Sequence, residues 1–199
     1  MVLLLAALSM SAQQDETLFF NVNRIGVFGG PIFEFSEFNE EITSSTGGGG
    51  GVVLNDFFFG GYGSGDIEID GFDLNTTELE FNDINLKHRG IWVGFTPKQS
   101  KAIHPYLSGR IGWGRMSFRQ SEINGNNNFE RRRDQVFVLT PEIGLEFNVF
   151  RWFRVAAAAN YRYLNGLENA NPLTDDDLSN FGGVITLRFG WFGHNFWWD

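Results

Sequence analysis

Apolar and polar residues alternate with a period of two along much of this chain. Residues 139–147 read LTPEIGLEF, so Leu139, Ile143 and Leu145 fall on one side of an extended strand. Glu142 and Glu146 fall on the other side, because successive side chains in a strand point to opposite faces. Glycine, proline and aromatic or β-branched residues interrupt every candidate helical period. The pattern predicts an all-β protein.

The alternation recurs in about eight segments, joined by connections of two kinds. Short connections, such as Asn55-Asp56, PKQSK (97–101) and FRWF (150–153), alternate with long polar ones near 66–80, 119–134 and 165–179. The link near 37–42 is a brief exception. Outer-membrane barrels join their strands by tight periplasmic turns and longer outer loops. We therefore predict an eight-stranded antiparallel up-and-down transmembrane β-barrel, with strands near 25–36, 43–54, 57 onward, 81–96, 103–118, 135–149, 154–164 and 181–191.

The register of the fourth strand is ambiguous. Lys87 and Arg89 share a face with Ile91 and Val93, so charged and apolar residues occupy one row. An extra residue in a strand shifts the following side chains to the other face. We therefore expect a β-bulge near Gly90, and we expect His88 to face lipid or an interface.

The N-terminal segment has the features of an export signal. An apolar run from Val2 to Leu8 precedes small residues and an Ala12-Gln13 junction, although a positive first region is missing. The run is too short to cross a membrane as a helix. We divide the chain into a signal peptide (1–12), an N-terminal extension (13–23), the barrel (24–193) and a C-terminal tail (194–199). A buried N-terminal strand is the alternative for the first segment.

The composition limits the classes of partner and cofactor that this chain is expected to bind. The 15 basic and 24 acidic residues give a net charge of −9, which argues against nucleic acid as a partner. The absence of cysteine excludes disulfides and thiolate zinc sites. The three histidines share no ligand spacing, so we expect no metal and no cofactor.

The two faces of the strands differ in a way that favours a membrane barrel. The polar faces mix both charge signs with glycine and small residues, which suits a narrow interior where carboxylates and guanidinium groups pair. We expect this interior ion-pair network to comprise Glu34, Arg110, Glu142, Glu146, Arg162 and Arg188. The apolar faces carry large aromatic residues near strand ends, as in membrane-interface girdles. These aromatics are Trp113, Trp152, Tyr161, Tyr163, Phe189 and Trp191. A soluble lipocalin-like barrel with an aromatic core is the alternative.

The segments IHPYLSGRIGWG, FVLTPEIGLEFNVFRWF and LRFGWF resemble small outer-membrane β-barrel proteins of the Bacteroidota type, which are OmpA-like or OmpX-like barrels of uncharacterised role. The resemblance covers nearly the whole mature chain. It implies location in the bacterial outer membrane and contact with outer-membrane lipid. Such barrels often end at an aromatic residue that the assembly machinery reads. Phe192 and Trp198 both fit that role, while Asp199 departs from the pattern.

Several candidate chemical sites have simpler interpretations. His104 and Ser108, with Glu142 on the next strand, have the residue types of a serine-activating triad. However, four residues along a strand span about 13 Å, too far for a hydrogen bond. The glycine run 47–51 lacks the Lys-Ser/Thr of a phosphate loop, so close strand packing explains it better. The charge runs 131–133 (RRR) and 175–177 (DDD) are typical of solvated loops, with lipid phosphate and calcium as the respective alternatives.

An eight-stranded barrel leaves an interior that side chains fill, so a wide diffusion pore is disfavoured. We expect a non-enzymatic structural or adaptor barrel that presents long loops to other envelope proteins. A lipid-modifying barrel enzyme and a soluble periplasmic binding barrel are the alternatives.

Overall fold

The chain forms a closed barrel of eight antiparallel strands. A computed structural model describes residues 22–38, 41–69, 79–122, 130–168, 174–176 and 178–193. Each strand pairs with the next in sequence, and the first pairs with the last. The prediction of an eight-stranded antiparallel up-and-down barrel is confirmed. The strands are β1 (Ile25–Phe38), β2 (Glu41–Leu54), β3 (Phe57–Ile69), β4 (Leu79–Phe95), β5 (Ile103–Glu122), β6 (Glu130–Phe150), β7 (Phe153–Asn165) and β8 (Asn180–Trp191).

The two ends of the barrel differ in their connections. One end, the short-turn end, joins strands through Asn55-Asp56, residues 96–102 and Arg151-Trp152. The other, the long-connection end, joins them through residues 39–40, 70–78, 123–129 and 166–179. Asn55 takes a positive φ of 55°, a conformation that asparagine tolerates better than most residues. Its Oδ1 accepts hydrogen bonds from the backbone N–H of Asn23 at 2.9 Å and Arg24 at 3.2 Å, which ties the segment before β1 to this turn.

Side chains alternate between the inside and the outside of the barrel along every strand. On β7, Arg154, Ala156 and Arg162 are buried, whereas Ala157 and Tyr163 are exposed on the outer surface. The same alternation operates on β6, where Glu142 and Glu146 point inward. No helix within the described ranges is long and apolar enough to cross a bilayer.

Inward glycines let the strands curve tightly around a small interior. A Cβ on Gly60 would lie 2.0 Å from the carbonyl oxygen of Gly50, and one on Gly30 would lie 1.8 Å from that of Leu187. A Cβ on Gly49 would come within 3.0 Å of the Trp92 ring. The glycine run 47–51 therefore lets neighbouring backbones approach closely and leaves room for the buried indole of Trp92.

Two expectations about the strands are wrong. The register of β4 against β5 runs unbroken through Gly90 and shifts instead between Asn82 and Ile84. No bulge therefore returns the charges to the interior, and Lys87 and Arg89 lie on the outer face with Ile91. β5 and β6 also pair beyond the expected boundaries, as far as Gln120 opposite Glu130. Residues 119–122 and 130–134 of the segment expected to be a loop are thus strand, and they include the arginine run 131–133.

Candidate functional site

The interior of the barrel carries the described chain's buried charges. Four carboxylates and four guanidinium groups are buried there, which balances the two signs within the described residues. An unpaired buried charge is costly, so this equality favours a paired interior. The eight residues are Glu34, Asp134, Glu142, Glu146, Arg110, Arg154, Arg162 and Arg188.

Glu146 on β6 is the centre of a cluster near the short-turn end. Its Oε1 accepts a hydrogen bond from Arg154 Nη1 at 2.9 Å and lies 3.0 Å from His104 Nε2. Its Oε2 pairs with Arg188 Nη1. Arg154 Nη1 also donates to Gln99 Oε1 at 3.0 Å. Strands β5, β6, β7 and β8 and the 96–102 turn are thereby linked through one buried carboxylate.

A second cluster lies closer to the long-connection end. Glu34 on β1 accepts from Arg110 Nη2 at 2.9 Å and from Arg162 Nη2 at 2.5 Å, so one carboxylate bridges two cations. Arg110 Nε lies 2.6 Å from Glu142 Oε1. Glu142 Oε2 accepts from Ser108 Oγ at 2.5 Å. Because β1 is adjacent to neither β5 nor β7 in the sheet, the two pairs of Glu34 cross the interior and fill it.

Aromatic rings pack between and below the charged clusters. Phe28, Phe58 and Trp92 meet edge to face at centroid distances of 5.1 to 5.5 Å. The guanidinium of Arg188 lies 3.7 Å from the Phe28 ring centroid, and that of Arg154 lies 3.8 Å from the Phe192 centroid. A desolvated cation over a ring face is stabilised by the ring quadrupole. Phe192, just beyond β8, therefore lies inside the barrel and covers the Glu146 cluster.

The outer surface is apolar over most of its height. Ile143 is 65% exposed, Trp113 58% and Phe181 77%, while Glu146 on the neighbouring inward row is fully buried. At the short-turn end, Trp152 stacks on Phe189 with ring centroids 6.1 Å apart. Near the long-connection end, the rings of Tyr161 and Phe181 are in contact, with centroids 4.8 Å apart. All six aromatics singled out from the sequence have outward positions, with Trp152, Phe189 and Trp191 at one end of the barrel and Trp113, Tyr161 and Tyr163 towards the other.

No protein-family model and no curated protein sequence matches this chain. Solved structures match it over most of its length. The attachment invasion locus protein Ail of Yersinia pestis is 17% identical, with a TM-score of 0.47 and coverage of 85% of this chain and 97% of its own.

Two other structures match with similar extent. Neisserial surface protein A is 13% identical, with a TM-score of 0.47 and coverage of 83% and 94%. A major outer membrane protein from Thermus thermophilus is 8% identical, with a TM-score of 0.44 and coverage of 83% and 99%. The assignment of the fold here rests on the strand pairing of this chain itself.

The six interior residues singled out from the sequence divide between the two clusters. Glu34, Arg110, Glu142 and Arg162 meet in one, and Glu146 and Arg188 belong to the other. Sequence reasoning missed Arg154, although it shares the inward row of β7 with Ala156 and Arg162. It also missed Gln99, which lies in a turn where the alternation gives no signal.

The expected position of His88 is wrong. His88 points into the barrel, 3% exposed, and its Nδ1 lies 3.0 Å from the hydroxyl oxygen of Tyr62. The unbroken register of β4 explains this, because His88 alternates with the outward Lys87 and Arg89. Tyr62 in turn lies beneath the guanidinium of Arg110, 5.4 Å from its ring centroid.

The residues considered for serine chemistry do not form a triad. Ser108 Oγ donates to Glu142, whereas His104 contacts a different carboxylate, Glu146. Both contacts have structural roles within the two clusters. Among the described residues there is also no group of three or more potential metal ligands.

Asp175, the first residue of the acidic run, binds backbone rather than standing free in solvent. Its Oδ1 accepts from the N–H of Gly166 at 3.1 Å and of Leu167 at 2.9 Å. Asp175 therefore organises the start of the β7–β8 connection. Asp177 and His194 lie outside the described residues, as do the expected signal peptide 1–12, the tail 194–199 and Trp198.

Proposed function

We propose that this chain is a bacterial outer-membrane barrel with a side-chain-filled interior, acting as a structural or adaptor protein rather than an enzyme. The observation that carries the proposal is the inverted polarity of the barrel. Buried charges occupy its interior, and large apolar side chains such as Ile143, Trp113 and Phe181 face outward. In water this exterior would be a large apolar patch of the kind that soluble monomers avoid.

The height of the apolar exterior supports a bilayer as its partner. On β5 the outward row runs from Ile103 to Trp113, and both ends are more than half exposed. Ten residue steps at about 3.3 Å each give about 33 Å along the strand. A strand tilted by about 40° then spans about 25 Å of height, the height of the apolar band on outer-membrane barrels.

The aromatic residues have the placement that a bilayer would favour. Trp152, Phe189 and Trp191 lie at the short-turn end, and Trp113, Tyr161 and Tyr163 lie towards the long-connection end. Amphipathic rings prefer the boundary between acyl chains and headgroups. We assign these six residues to two interface girdles.

The interior supports a sealed rather than conducting barrel. Arg110, Glu34 and Arg162 cross the lumen, and Trp92 and Tyr106 are at most 1% exposed beside them. The pairing of Ser108 and His104 with separate carboxylates favours a structural role over catalysis. The same charged pairs leave little room for the apolar cavity that a soluble lipocalin-like binder would need.

The long-connection end is the surface that we assign to partners in the envelope. The outward apolar surface at the height of Ile103 to Trp113 is called the apolar belt. β5 and β6 stay paired beyond it, up to Gln120 and Glu130, so their paired backbone extends well beyond Trp113. With the short turns on the periplasmic side, this extension projects outward from the cell. Export to that location would use residues 1–12 as a signal peptide.

The experiment that tests the proposal is expression of the full chain in a Gram-negative host, followed by fractionation. We expect the protein in the outer-membrane fraction, with a faster electrophoretic mobility before boiling than after. Recovery from the soluble periplasm with a single mobility would contradict the membrane assignment. Treatment of intact cells with protease tests the orientation, because cleavage should occur in the long connections and spare the short turns.

A further inference from the structure

Four cations cluster on the outer surface of the barrel above the apolar belt. They are Lys87 and Arg89 on β4, Arg115 on β5 and Arg133 on β6, and all four are exposed. Lys87 is directly opposite Arg115 in the strand register. Arg89 and Arg133 pair with Trp113 and Ser117, the outward residues on either side of Arg115, so both are its diagonal neighbours. We call these four residues the basic patch.

The three arginines of the basic patch repel one another unless an anion lies between them. Like charges on neighbouring antiparallel strands destabilise the sheet, and Arg89 and Arg133 are both diagonal neighbours of Arg115. Among the described residues, none of the ion pairs found includes Arg89, Arg115 or Arg133. Although the net charge of the chain is −9, four cationic side chains lie together on the outer surface of the barrel. This arrangement fits a bound anion.

The surroundings of the basic patch are apolar on its lower side. Trp113 and Ile91, 58% and 52% exposed, lie directly below it on β5 and β4. A shallow groove beside Trp113 is lined by Arg89 and by glycines of β2 and β3, including the outward Gly48 and Gly61. A Cβ on Gly61 would meet only Gly90 O, at an ordinary 3.5 Å, so backbone crowding does not require glycine there. The groove therefore runs from the Arg89 side chain to an apolar surface formed by Trp113 and the glycines.

We propose that the basic patch binds the phosphate of an anionic lipid whose acyl chain lies in the adjoining groove. Guanidinium groups bind phosphate oxygens in paired hydrogen bonds, and several can share one headgroup. Charged side chains on a barrel exterior cost little at the membrane interface. The patch begins level with Trp113, which is opposite Arg89, and extends from there towards the long-connection end. A soluble anion would use the cations but not the groove. The proposal rests on the proposed function, since it needs the exterior to face lipid.

The test uses the purified full-length barrel in detergent, with lipid binding measured by native mass spectrometry. The probes are phosphatidic acid, phosphatidylcholine and inorganic phosphate. We expect phosphatidic acid to bind in preference to phosphatidylcholine. The double variant Arg89→Gln/Arg115→Gln should weaken phosphatidic acid binding by about 30-fold, the equivalent of two charges at about 1 kcal/mol each. The matched control, Lys98→Gln/Lys101→Gln, removes two exposed charges at the short-turn end and should leave binding unchanged.

The groove is tested with a second pair of variants. Gly61→Leu fills the groove beside Arg89, whereas Gly109→Leu adds the same side chain at another outward glycine whose Cβ would meet nothing within 4 Å. Only Gly61→Leu should weaken phosphatidic acid binding. Inorganic phosphate that displaces phosphatidic acid would overturn the lipid assignment in favour of a free-anion site. Equal effects of the two leucine variants would overturn the role of the groove.

Failure of this inference is distinguishable from failure of the proposed function. Every variant and the wild type are first checked for heat-modifiable mobility after reconstitution into phosphatidylcholine vesicles. A wild type that inserts but shows no preference for phosphatidic acid overturns only the lipid site. A wild type that does not insert overturns both.

Discussion

Removal of the charge at Glu146 is the perturbation that tests the interior network most severely. Glu146 has no solvent exposure, and its two oxygens contact Arg154, Arg188 and His104. The variant Glu146→Gln keeps the size of the side chain but removes the negative charge. Two buried guanidinium groups then lose their shared counter-ion.

The expected loss of stability follows from these contacts. Breaking a buried ion pair by removing one partner costs about 3–5 kcal/mol. Arg188 and Arg154 keep their contacts with the rings of Phe28 and Phe192, which are worth about 1–2 kcal/mol each when desolvated and limit the loss. We therefore expect Glu146→Gln to lower the free energy of unfolding by about 4 kcal/mol.

The assay is reversible urea unfolding of the barrel in lipid vesicles, followed by tryptophan fluorescence and by heat-modifiable mobility. Glu168→Gln is the matched control, because Glu168 is an exposed carboxylate in the β7–β8 connection, and its change should stay within about 0.5 kcal/mol. A loss below about 1 kcal/mol for Glu146→Gln would refute the reasoning that this carboxylate compensates two buried cations.

Three further outcomes follow from the contacts. Gly30→Val should abolish the heat-modifiable form, because its Cβ would lie 1.8 Å from a backbone oxygen of β8, whereas Gly63→Ala, with no atom within 4 Å, should preserve it. Phe192→Ala should lower the free energy of unfolding by about 3–5 kcal/mol in urea titrations, since the ring is fully buried over two guanidinium groups; a loss under about 1 kcal/mol would contradict this. Asp175→Ala should speed proteolysis of residues 166–179 while leaving the urea midpoint unchanged, because its bonds are local to that connection; an unaltered cleavage rate would count against the role.

Much of the fold could be predicted because strand alternation is a local property. Glu142 and Glu146 lie at even positions and Leu145 at an odd one, which assigns both faces of β6 without knowledge of any other strand. Asn55-Asp56 likewise marks a turn through its own backbone preference. The number and order of strands therefore follow from the sequence.

The interior pairs could be named only in part, because pairing depends on the stagger of the closed barrel. Glu34 and Arg162 come from β1 and β7, which are not adjacent, so no local pattern brings them together. Arg154 lies at the start of β7, where only its place on the inward row marks it, and it pairs with Glu146 on the adjacent β6. The role of Phe192 was missed because it lies beyond the last strand residue.

Charge alone is misleading for the faces of β4. The charges of Lys87 and Arg89 predict an interior row, and only a bulge would then keep Ile91 outside. In the structure these cations lie on the outer face above the apolar belt, and His88 points inward. Likewise, the sequence at the paired ends of β5 and β6 resembles a loop, because its residues are mostly polar and the alternation that identifies a strand is lost.

The proposed function requires the outward apolar side chains to face lipid while the charged ones are enclosed. The chain has no cysteine, so single-cysteine variants can carry a fluorescent label at one position each. Ile143→Cys lies on the outward row, where Ile143 is 65% exposed, and Thr140→Cys lies on the inward row, where Thr140 is 1% exposed. In vesicles containing brominated lipid, we predict strong quenching of the label at 143 and little at 140. Quenching at 140 with protection at 143 would contradict the account.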